Sequence, residues 1–253
     1  MTETEVERAA LPTVREVPAL APLAWIAAGW RDFAAHPASS LFYGACFTLM
    51  AVLVYVVFRH AYPYVSALVT GFFLVGPFLA MGLYDLSRRR ERGEATTVAH
   101  TFAAWAPDKA AIGMFALVLA VVLLVWARAS LVVFALFYTQ GLPTLSDFAS
   151  RVVSLDNLEF VFAYLCVGGF FAALVFAISV VSVPMMLDRH TDGIVAVLTS
   201  LRACAANVPA MLVWGAAIVL LVGLGFATWF VGLLVAVPVI GHATWHAYRA
   251  LVE

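Results

Sequence analysis

The sequence has few charged side chains. Lys and Arg number 14 and Asp and Glu 15, together 11% of 253 residues, whereas 64% are hydrophobic. Soluble domains carry roughly 25% charged and about 45–50% apolar residues. A water-soluble chain of this size could not hide so much apolar surface, so the composition excludes a soluble enzyme and a disordered tail. The net charge of −1 supplies no basic surface for nucleic acid. The predicted surroundings are therefore a lipid bilayer.

Cysteine is scarce as well. Cys46, Cys166 and Cys204 form no C-x-x-C spacing, which argues against a disulfide framework. The N-terminal stretch Met1–Arg8 is acidic and polar, unlike a secretory signal. We therefore expect the first membrane helix to direct its own insertion.

Motifs that carry chemistry are missing too. The chain has no G-x-x-x-x-G-K-[ST], G-x-S-x-G or H-E-x-x-H string. No Asp or Glu lies in the middle of a predicted span, which argues against a proton-coupled pump. The sequence thus predicts no catalytic site, no cofactor site and no enzymatic activity.

Long charge-free intervals predict the membrane spans. About 20 apolar residues cross a bilayer as a helix. The intervals are Phe33–Phe58, Ala61–Tyr84, Ala110–Ala127 with an apolar continuation to Tyr138, Phe160–Leu187 and Ala203–Tyr248. The last, as one helix, would be about 69 Å long at about 1.5 Å per residue, so it must reverse, and the reversal is predicted near Gly223-Leu224-Gly225. The predicted fold is an all-α polytopic membrane protein with six transmembrane helices in three hairpins.

The basic residues predict the orientation. Eleven of the 14 Lys and Arg residues, including Arg88, Arg89 and Arg90, fall on the side of the N-terminus. Because basic residues are enriched in cytoplasmic segments, both termini are predicted to be cytoplasmic. Residues 1–18 read as a polar tail and residues 19–253 as one membrane domain.

The membrane domain contains three repeat-like units, at about residues 19–92, 96–190 and 192–250. Each has a short amphipathic segment, a span, and a second span with proline. Those prolines are Pro77, Pro184 and Pro238. Proline kinks a helix, and membrane helices tolerate it where neighbours satisfy the freed carbonyl.

The amphipathic segments have spacings typical of helices that lie in the headgroup plane. The face residues are Leu23, Ile26, Trp30 and Phe33; Val98, Phe102 and Trp105; and Ile194, Val197, Leu198 and Leu201. Thr96 or Thr97 and Asp192 are predicted caps, and the prolines at 37, 107 and 209 are predicted to end the segments. A solvated linker is the alternative interpretation.

His242 and His246, four residues apart, share one face of a predicted helix. Two imidazoles could contribute to a metal or haem site, but two ligands do not complete one. The alternative is an interfacial belt of Trp245, Tyr248 and Arg249, with both histidines hydrogen-bonded to neighbouring helices.

Other charged residues have structural interpretations. Arg128, late in the third span, is expected to extend to the headgroups or to pair with an acid such as Glu159. Asp188 and Arg189, like Asp85 and Arg88, are expected to pair at helix ends. The arginine run at 88–90 is expected to fix the topology, with anionic headgroups as a further contact. Gly29 and the pair Gly168-Gly169 permit close approach of helices.

The strings 183–189 (VPMMLDR) and 241–249 (GHATWHAYR) resemble an uncharacterised family of bacterial integral membrane proteins, a domain of unknown function. Some members of that family are labelled as cytochrome c oxidase proteins. The resemblance implies six spans in a bacterial inner membrane and carries over no functional residue. A catalytic haem–copper subunit has a larger bundle and a set of ligand histidines that this chain lacks.

The expected function is therefore non-enzymatic. The chain would act by lateral contacts, as an accessory, assembly or scaffolding component of a membrane complex, with respiratory complexes suggested by the label. Its partners would be the lipid bilayer and other membrane subunits or further copies of itself. The alternative is a transporter of small solutes or lipids, because helices broken by proline often line binding sites.

Overall fold

The protein is described by a computed structural model. The described residues are 12–60, 65–102, 104, 109–137 and 158–253. They form helices and no named strand, as the all-α prediction requires. In chain order the helices are α1 (Ala21–Ala35), α2 (Pro37–His60), α3 (Val65–Glu91), α4 (Val98–Thr101), α5 (Lys109–Phe137), α6 (Leu158–Ser179), α7 (Ser182–Arg189), α8 (Gly193–Ala206), α9 (Val208–Ala227) and α10 (Leu233–Leu251).

Four stretches of the described chain are long and apolar enough to cross a bilayer. They are Pro37–His60, Ala110–Phe137, Leu158–Arg189 and Val208–Ala227. Only 6% to 22% of the apolar window of each is buried inside the protein. The four do not include α3 or α10, which the sequence predicts as the second and sixth spans.

The predicted fourth span is interrupted in the structure. Helix α6 ends at Ser179 and α7 begins at Ser182. The Ser200 hydroxyl accepts a hydrogen bond from the Val181 backbone N–H at 3.2 Å and donates one to the Ala177 carbonyl at 2.6 Å. A side chain of α8 thus satisfies backbone groups that the break leaves free.

The chain reversal predicted at Gly223-Leu224-Gly225 lies further along, at residues 228–232. Helix α9 continues to Ala227, and both glycines remain helical. The Thr228 hydroxyl donates to the Gly225 carbonyl at 2.9 Å and accepts from the Gly232 N–H at 2.8 Å. The predicted position was wrong because this hydroxyl, rather than the glycines, closes the turn.

The three predicted amphipathic segments differ in how much of each forms a helix in the structure. Helix α1 covers the first, with Leu23 and Trp30 exposed but Phe33 buried, contrary to the predicted face. The second is only the four-residue α4, and Trp105 and the proline at 107 lie outside the described residues. Helix α8 covers the third, and the Asp192 carboxylate caps it by accepting the Ile194 N–H at 2.7 Å, as predicted.

The two ends of the described chain lie side by side. The Arg15 N–H donates to the Leu251 carbonyl at 2.8 Å, and the Glu253 N–H donates to the Thr13 carbonyl at 3.1 Å. An ion pair of 2.8 Å joins the Arg15 and Glu253 side chains. This pair lowers the pKa of the exposed Glu253 carboxyl through a hydrogen bond and charge attraction. Residues 12–18 of the predicted tail are therefore ordered against the C-terminus.

The chain divides into two compact units, one formed by Met1–Ala116 and Ala177–Glu253 and the other by Leu117–Phe176. Trp214, Trp245 and Tyr248 are fully buried in the first unit. In the second unit, the Phe134 ring lies 5.1 Å from that of Phe160 and 5.9 Å from that of Tyr164. Each unit thus has its own aromatic contacts.

Helix α10 packs closely against α1 and α2 because glycines face it. A Cβ on Gly29 would lie 2.6 Å from the Val239 carbonyl oxygen and 2.7 Å from the Ala243 nitrogen. A Cβ on Gly44 would meet the Leu234 carbonyl. The predicted role of Gly29 in close helix approach is confirmed.

Candidate functional site

Four buried polar side chains and the partly buried His246, from four helices, meet in the first unit. Asp32 comes from α1, Ser40 from α2, Ser87 from α3, and His242 and His246 from α10. We call these five residues the polar cluster. Polar groups are placed in a protein interior only where they have partners. The cluster therefore holds the four helices in one register.

The hydrogen bonds around His242 define its tautomer. Ser87 Oγ donates to Asp32 Oδ2 at 2.6 Å and lies 2.8 Å from His242 Nδ1. Because a hydroxyl has one proton, Ser87 must accept from His242 Nδ1–H. His242 Nε2 then accepts from the Ser40 hydroxyl, 2.9 Å away. The result is one directed chain of donors from Ser40 through His242 and Ser87 to Asp32.

Asp32 is the acceptor on which the cluster converges. His246 Nε2 donates to its Oδ2 at 2.9 Å, and Arg90 Nη1 pairs with its Oδ1. Burial raises the pKa of Asp32, but hydrogen bonds from His246 and Ser87 and the charge of His246 outweigh it and leave the pKa below its ordinary value. Asp32 is thus stabilised as a carboxylate.

A second buried carboxylate, Asp85, holds two arginines. Arg88 donates to Asp85 Oδ1 at 2.6 Å, and Arg89 donates to Oδ2 at 2.7 Å. Arg88 Nη1 also donates to the Leu187 carbonyl at 2.7 Å, which links the end of α3 to α7. The predicted Asp85–Arg88 pair is present, and the run at 88–90 makes ion pairs inside the protein.

Asp188 accepts bonds from several elements at the same end of the unit. Its carboxylate accepts from the Tyr248 hydroxyl at 2.9 Å and from Arg92 at 3.1 Å, and Arg249 lies 3.6 Å away. Arg189 bonds the Tyr248 hydroxyl at 2.9 Å rather than Asp188. The predicted pairing of Asp188 with Arg189 is therefore indirect, through Tyr248.

A polar cavity of about 340 Å³ opens beside the polar cluster. It is lined by Ala28, Arg31, Asp32, Ser87, Arg90, Glu91 and His246. This volume lies within the range of about 300–1,000 Å³ found for small-molecule sites. Ser40, the innermost hydroxyl of the donor chain, is fully buried and is not part of this lining.

An apolar cavity of about 430 Å³ lies near the end of α4. It is lined by Tyr43, Val75, Phe78, Leu79, Thr101 and Phe102. Its polar groups bond to each other, because the Tyr43 and Thr101 hydroxyls are 2.5 Å apart. The cavity therefore offers apolar surface and few free hydrogen-bonding groups.

The predicted belt residues are not at the surface. Trp245 and Tyr248 are buried in the chain, and Arg249 pairs with Glu91 at 3.4 Å and with Asp188. The belt prediction was wrong because α10 turns this face toward α1, α3 and α7. The companion prediction, that His242 and His246 bond to neighbouring helices, agrees with the contacts to Ser40, Ser87 and Asp32.

The histidines do not form a metal site in this structure. Both ring nitrogens of His242 lie at hydrogen-bond distance from serine hydroxyls, and His246 Nε2 bonds Asp32. Within the described ranges, no group of three or more His, Cys, Asp or Glu side chains could hold a metal ion. Ligation by either histidine would require these hydrogen bonds to break.

The three prolines predicted in the second spans lie in different structural surroundings. Pro184 is buried in the first turn of α7, after the break in the fourth predicted span. Pro238 lies inside α10 and is buried against α2 near Gly44. The backbone of α3 is helical through position 77, but the Pro77 side chain lies outside the described residues.

Arg128 is exposed on α5, within the stretch Ala110–Phe137 that is apolar enough to span a membrane. It makes no ion pair with the described part of the chain, Glu159 included. Most of the predicted outer loop, Thr139–Glu159, lies outside the described residues, so a pair with its other acids is untested. Gly168 and Gly169 have open space where a Cβ would project.

Sequence reasoning missed the centre of the polar cluster. It did not predict the burial of Asp32, and it singled out neither Ser40 nor Ser87. One signal was available: His242, His246 and Asp32 are complementary groups in segments predicted to end on the same side of the membrane. Their contacts join residues up to 214 positions apart, which local patterns do not reveal.

One comparison with known proteins gives a match to part of the chain. Residues 65–188, from the start of α3 to Asp188, match the family model described as "Predicted integral membrane protein (DUF2189)". Of the two strings on which the predicted resemblance rests, the match includes 183–188 and leaves out 241–249. Neither the curated proteins nor the solved structures contain a significant match to this chain. Over residues 65–188, the chain is thus similar to this family of predicted integral membrane proteins.

Proposed function

We propose that the chain is a non-enzymatic, six-span protein of the bacterial inner membrane that acts through lateral contacts. Its role would be that of an accessory, assembly or scaffolding component of a membrane complex. The oxidase label in the resembling family makes respiratory complexes the first partners to test. The proposal has three parts: topology, orientation and the contact surface.

Six spans require α3 and α10 to cross the membrane in addition to the four apolar stretches. Helix α3 has 27 residues and α10 has 19, which correspond to about 40 Å and about 28 Å at about 1.5 Å per residue. These lengths suit a hydrocarbon core about 30 Å thick. The adjacent ends of the described chain support an even number of crossings.

The outward faces of α1 and α8 support the interfacial placement of these helices. Leu23 and Trp30 of α1 are exposed, and so is Leu20, which directly precedes the helix. On α8, Ile194 and Leu198 are exposed, while Ser200 faces inward. Helices with one apolar and one polar face lie at the headgroup level, where Trp is enriched. The basic residues on this side then place both termini in the cytoplasm.

The second unit supplies the best candidate contact surface. In the stretch Leu158–Arg189, only 6% of the apolar window is buried. Phe162 and Leu165 are exposed on it, and a Cβ on Gly168 or Gly169 would meet open space. Small residues on a membrane helix allow a second backbone to approach closely.

The observation that carries the proposal is Arg128. An exposed guanidinium on an apolar span needs a counter-charge or access to headgroups, because charge is costly in hydrocarbon. The described residues supply no carboxylate partner. A carboxylate from another membrane subunit would meet this need, and the open Gly168–Gly169 surface in the same unit would allow that subunit to approach.

Cross-linking through Cys166 tests this proposal. Cys166 is exposed and lies next to the glycine pair, so a variant with Cys46→Ala and Cys204→Ala leaves one reporter. In native membranes we expect a specific protein adduct that Arg128→Leu strongly reduces. The matched control is Arg59→Leu, because Arg59 bonds Tyr55 within its own helix. Lipid adducts alone, or equal adducts in both variants, would contradict the proposal.

A transporter of small solutes or lipids is the second candidate, favoured by the break between α6 and α7. Discontinuous helices line many transport sites. Uptake into vesicles of purified protein tests it, with Pro184→Ala and Pro238→Ala as probes. A flux that is absent, or that neither substitution alters, would rule against transport.

A further inference from the structure

The polar cavity beside the polar cluster has a lining of mixed charge. Arg31, Arg90 and His246 line the same space of about 340 Å³ as Asp32 and Glu91. Asp32 is already engaged by Arg90, His246 and Ser87. The inner wall is therefore nearly neutral, and its hydrogen bonds are used within the protein.

Two charged side chains of the lining, one positive and one negative, can still form hydrogen bonds with a ligand. The Arg31 guanidinium makes one hydrogen bond with the described residues, from Nε to the Ala27 carbonyl at 3.3 Å. A guanidinium has five N–H donors, so four remain for a ligand. Among the described residues, the Glu91 carboxylate has only long contacts, 3.9 Å to His246 and 3.4 Å to Arg249. Its carboxylate can accept further hydrogen bonds.

The position of the cavity favours a lipid headgroup. Arg31 lies on α1 beside Trp30, which is exposed, and Leu23 extends the same apolar face. If that face rests on the hydrocarbon boundary, the mouth of the cavity is at headgroup level. A ligand there would be anchored by its acyl chains outside the protein.

We propose that this cavity binds a zwitterionic phosphoester headgroup, namely a phosphate linked to a primary ammonium, as in phosphatidylethanolamine. Arg31 binds the phosphate, because a guanidinium matches phosphate oxygens with two N–H donors. Glu91 accepts from the ammonium, whose three N–H groups a trimethylated choline lacks. A zwitterionic headgroup adds no net charge to this lining, whereas an anionic headgroup adds a further negative charge near Glu91.

Native mass spectrometry of the full chain in mild detergent tests the assignment. The protein is titrated with phosphatidylethanolamine, phosphatidylcholine and phosphatidylglycerol carrying the same acyl chains. We expect the ethanolamine lipid to bind best, and Arg31→Gln and Glu91→Gln each to weaken that binding about tenfold or more. Both residues are at least partly exposed, so both variants are expected to fold.

Arg202→Gln is the matched control, because Arg202 is exposed on α8 and is not part of the cavity lining. Equal binding of the three lipids, or equal effects of Arg31→Gln and Arg202→Gln, would overturn the proposal. Preference for phosphatidylglycerol with no effect of Glu91→Gln would also overturn it. Binding of free phosphoethanolamine with the same dependence on Arg31 and Glu91 would support the headgroup chemistry and point to a soluble source.

Discussion

Replacement of Asp32 by alanine is expected to destabilise the first unit strongly. The carboxylate accepts from Ser87, His246 and Arg90, so its removal leaves these three donors without their acceptor. Removing one partner of a buried ion pair costs about 3–5 kcal/mol. Arg90 is partly exposed and can regain water, which places the expected loss near the lower end, at about 3 kcal/mol.

Asp32→Asn removes the negative charge of the side chain and keeps its shape. Ser87 and His246 both donate to Oδ2, whereas Arg90 pairs with Oδ1. An amide has one oxygen, so at least one of these donors then faces an NH₂ group. We expect a loss of about 1.5–3 kcal/mol, the value for a hydrogen bond to a charged group.

Reversible unfolding in mixed detergent micelles, followed by circular dichroism, measures both losses. Glu94→Ala is the control, because Glu94 is exposed and makes only a 3.3 Å contact with Arg89. Its expected effect is at most about 0.5 kcal/mol. If Asp32→Ala were no more destabilising than Glu94→Ala, the polar cluster would not hold the helices together.

Three further predictions follow from the same structure. The pKa of the Asp32 carboxyl lies below its ordinary value. The contribution of this carboxylate to stability is therefore complete above the ordinary pKa and is lost as pH falls through the folded-state pKa. The acid unfolding of Asp32→Asn should accordingly be less steep than that of the wild type. Gly29→Ala should cost about 1–3 kcal/mol because its Cβ meets backbone, whereas Gly215→Ala, with open space, should be neutral or stabilising. Ser200→Ala should cost about 1–3 kcal/mol, since it leaves the Val181 N–H unsatisfied.

These three predictions have direct readouts. The pH effect is measured as the difference in unfolding free energy between wild type and Asp32→Asn at several pH values. Parallel curves would show that the Asp32 pKa is the same in both states. Equal effects of the two glycine substitutions would contradict the close packing of α1 on α10. For Ser200→Ala, increased amide hydrogen exchange at Val181 is expected, and unchanged exchange would refute the proposed capping of the break.

The sequence was sufficient to predict the membrane class and most helix positions, because these depend on local composition. The charge-free interval Phe33–Phe58 falls largely within α2, and Asp192 caps α8 as its position indicated. The helix break near Val181 was not predicted, since it depends on a hydroxyl from another helix. Local periodicity does not report such contacts.

The candidate site was predicted only in part. His242 and His246 were identified as a pair on one face, but their hydrogen-bond partners lie 155 to 214 positions earlier in the chain. Trp245 was predicted at a lipid surface because Trp is enriched there, yet packing of α10 against neighbouring helices buries it. The distinction between a lipid-facing and a protein-facing stripe needs the tertiary arrangement.

Topology mapping of the intact chain tests the central claim most directly. Reporter fusions are placed at both termini, after His60 and after Arg92. The six-span account predicts cytoplasmic signals at both termini and after Arg92, and a periplasmic signal after His60. Termini on opposite faces, or signals after His60 and Arg92 on the same face, would contradict it.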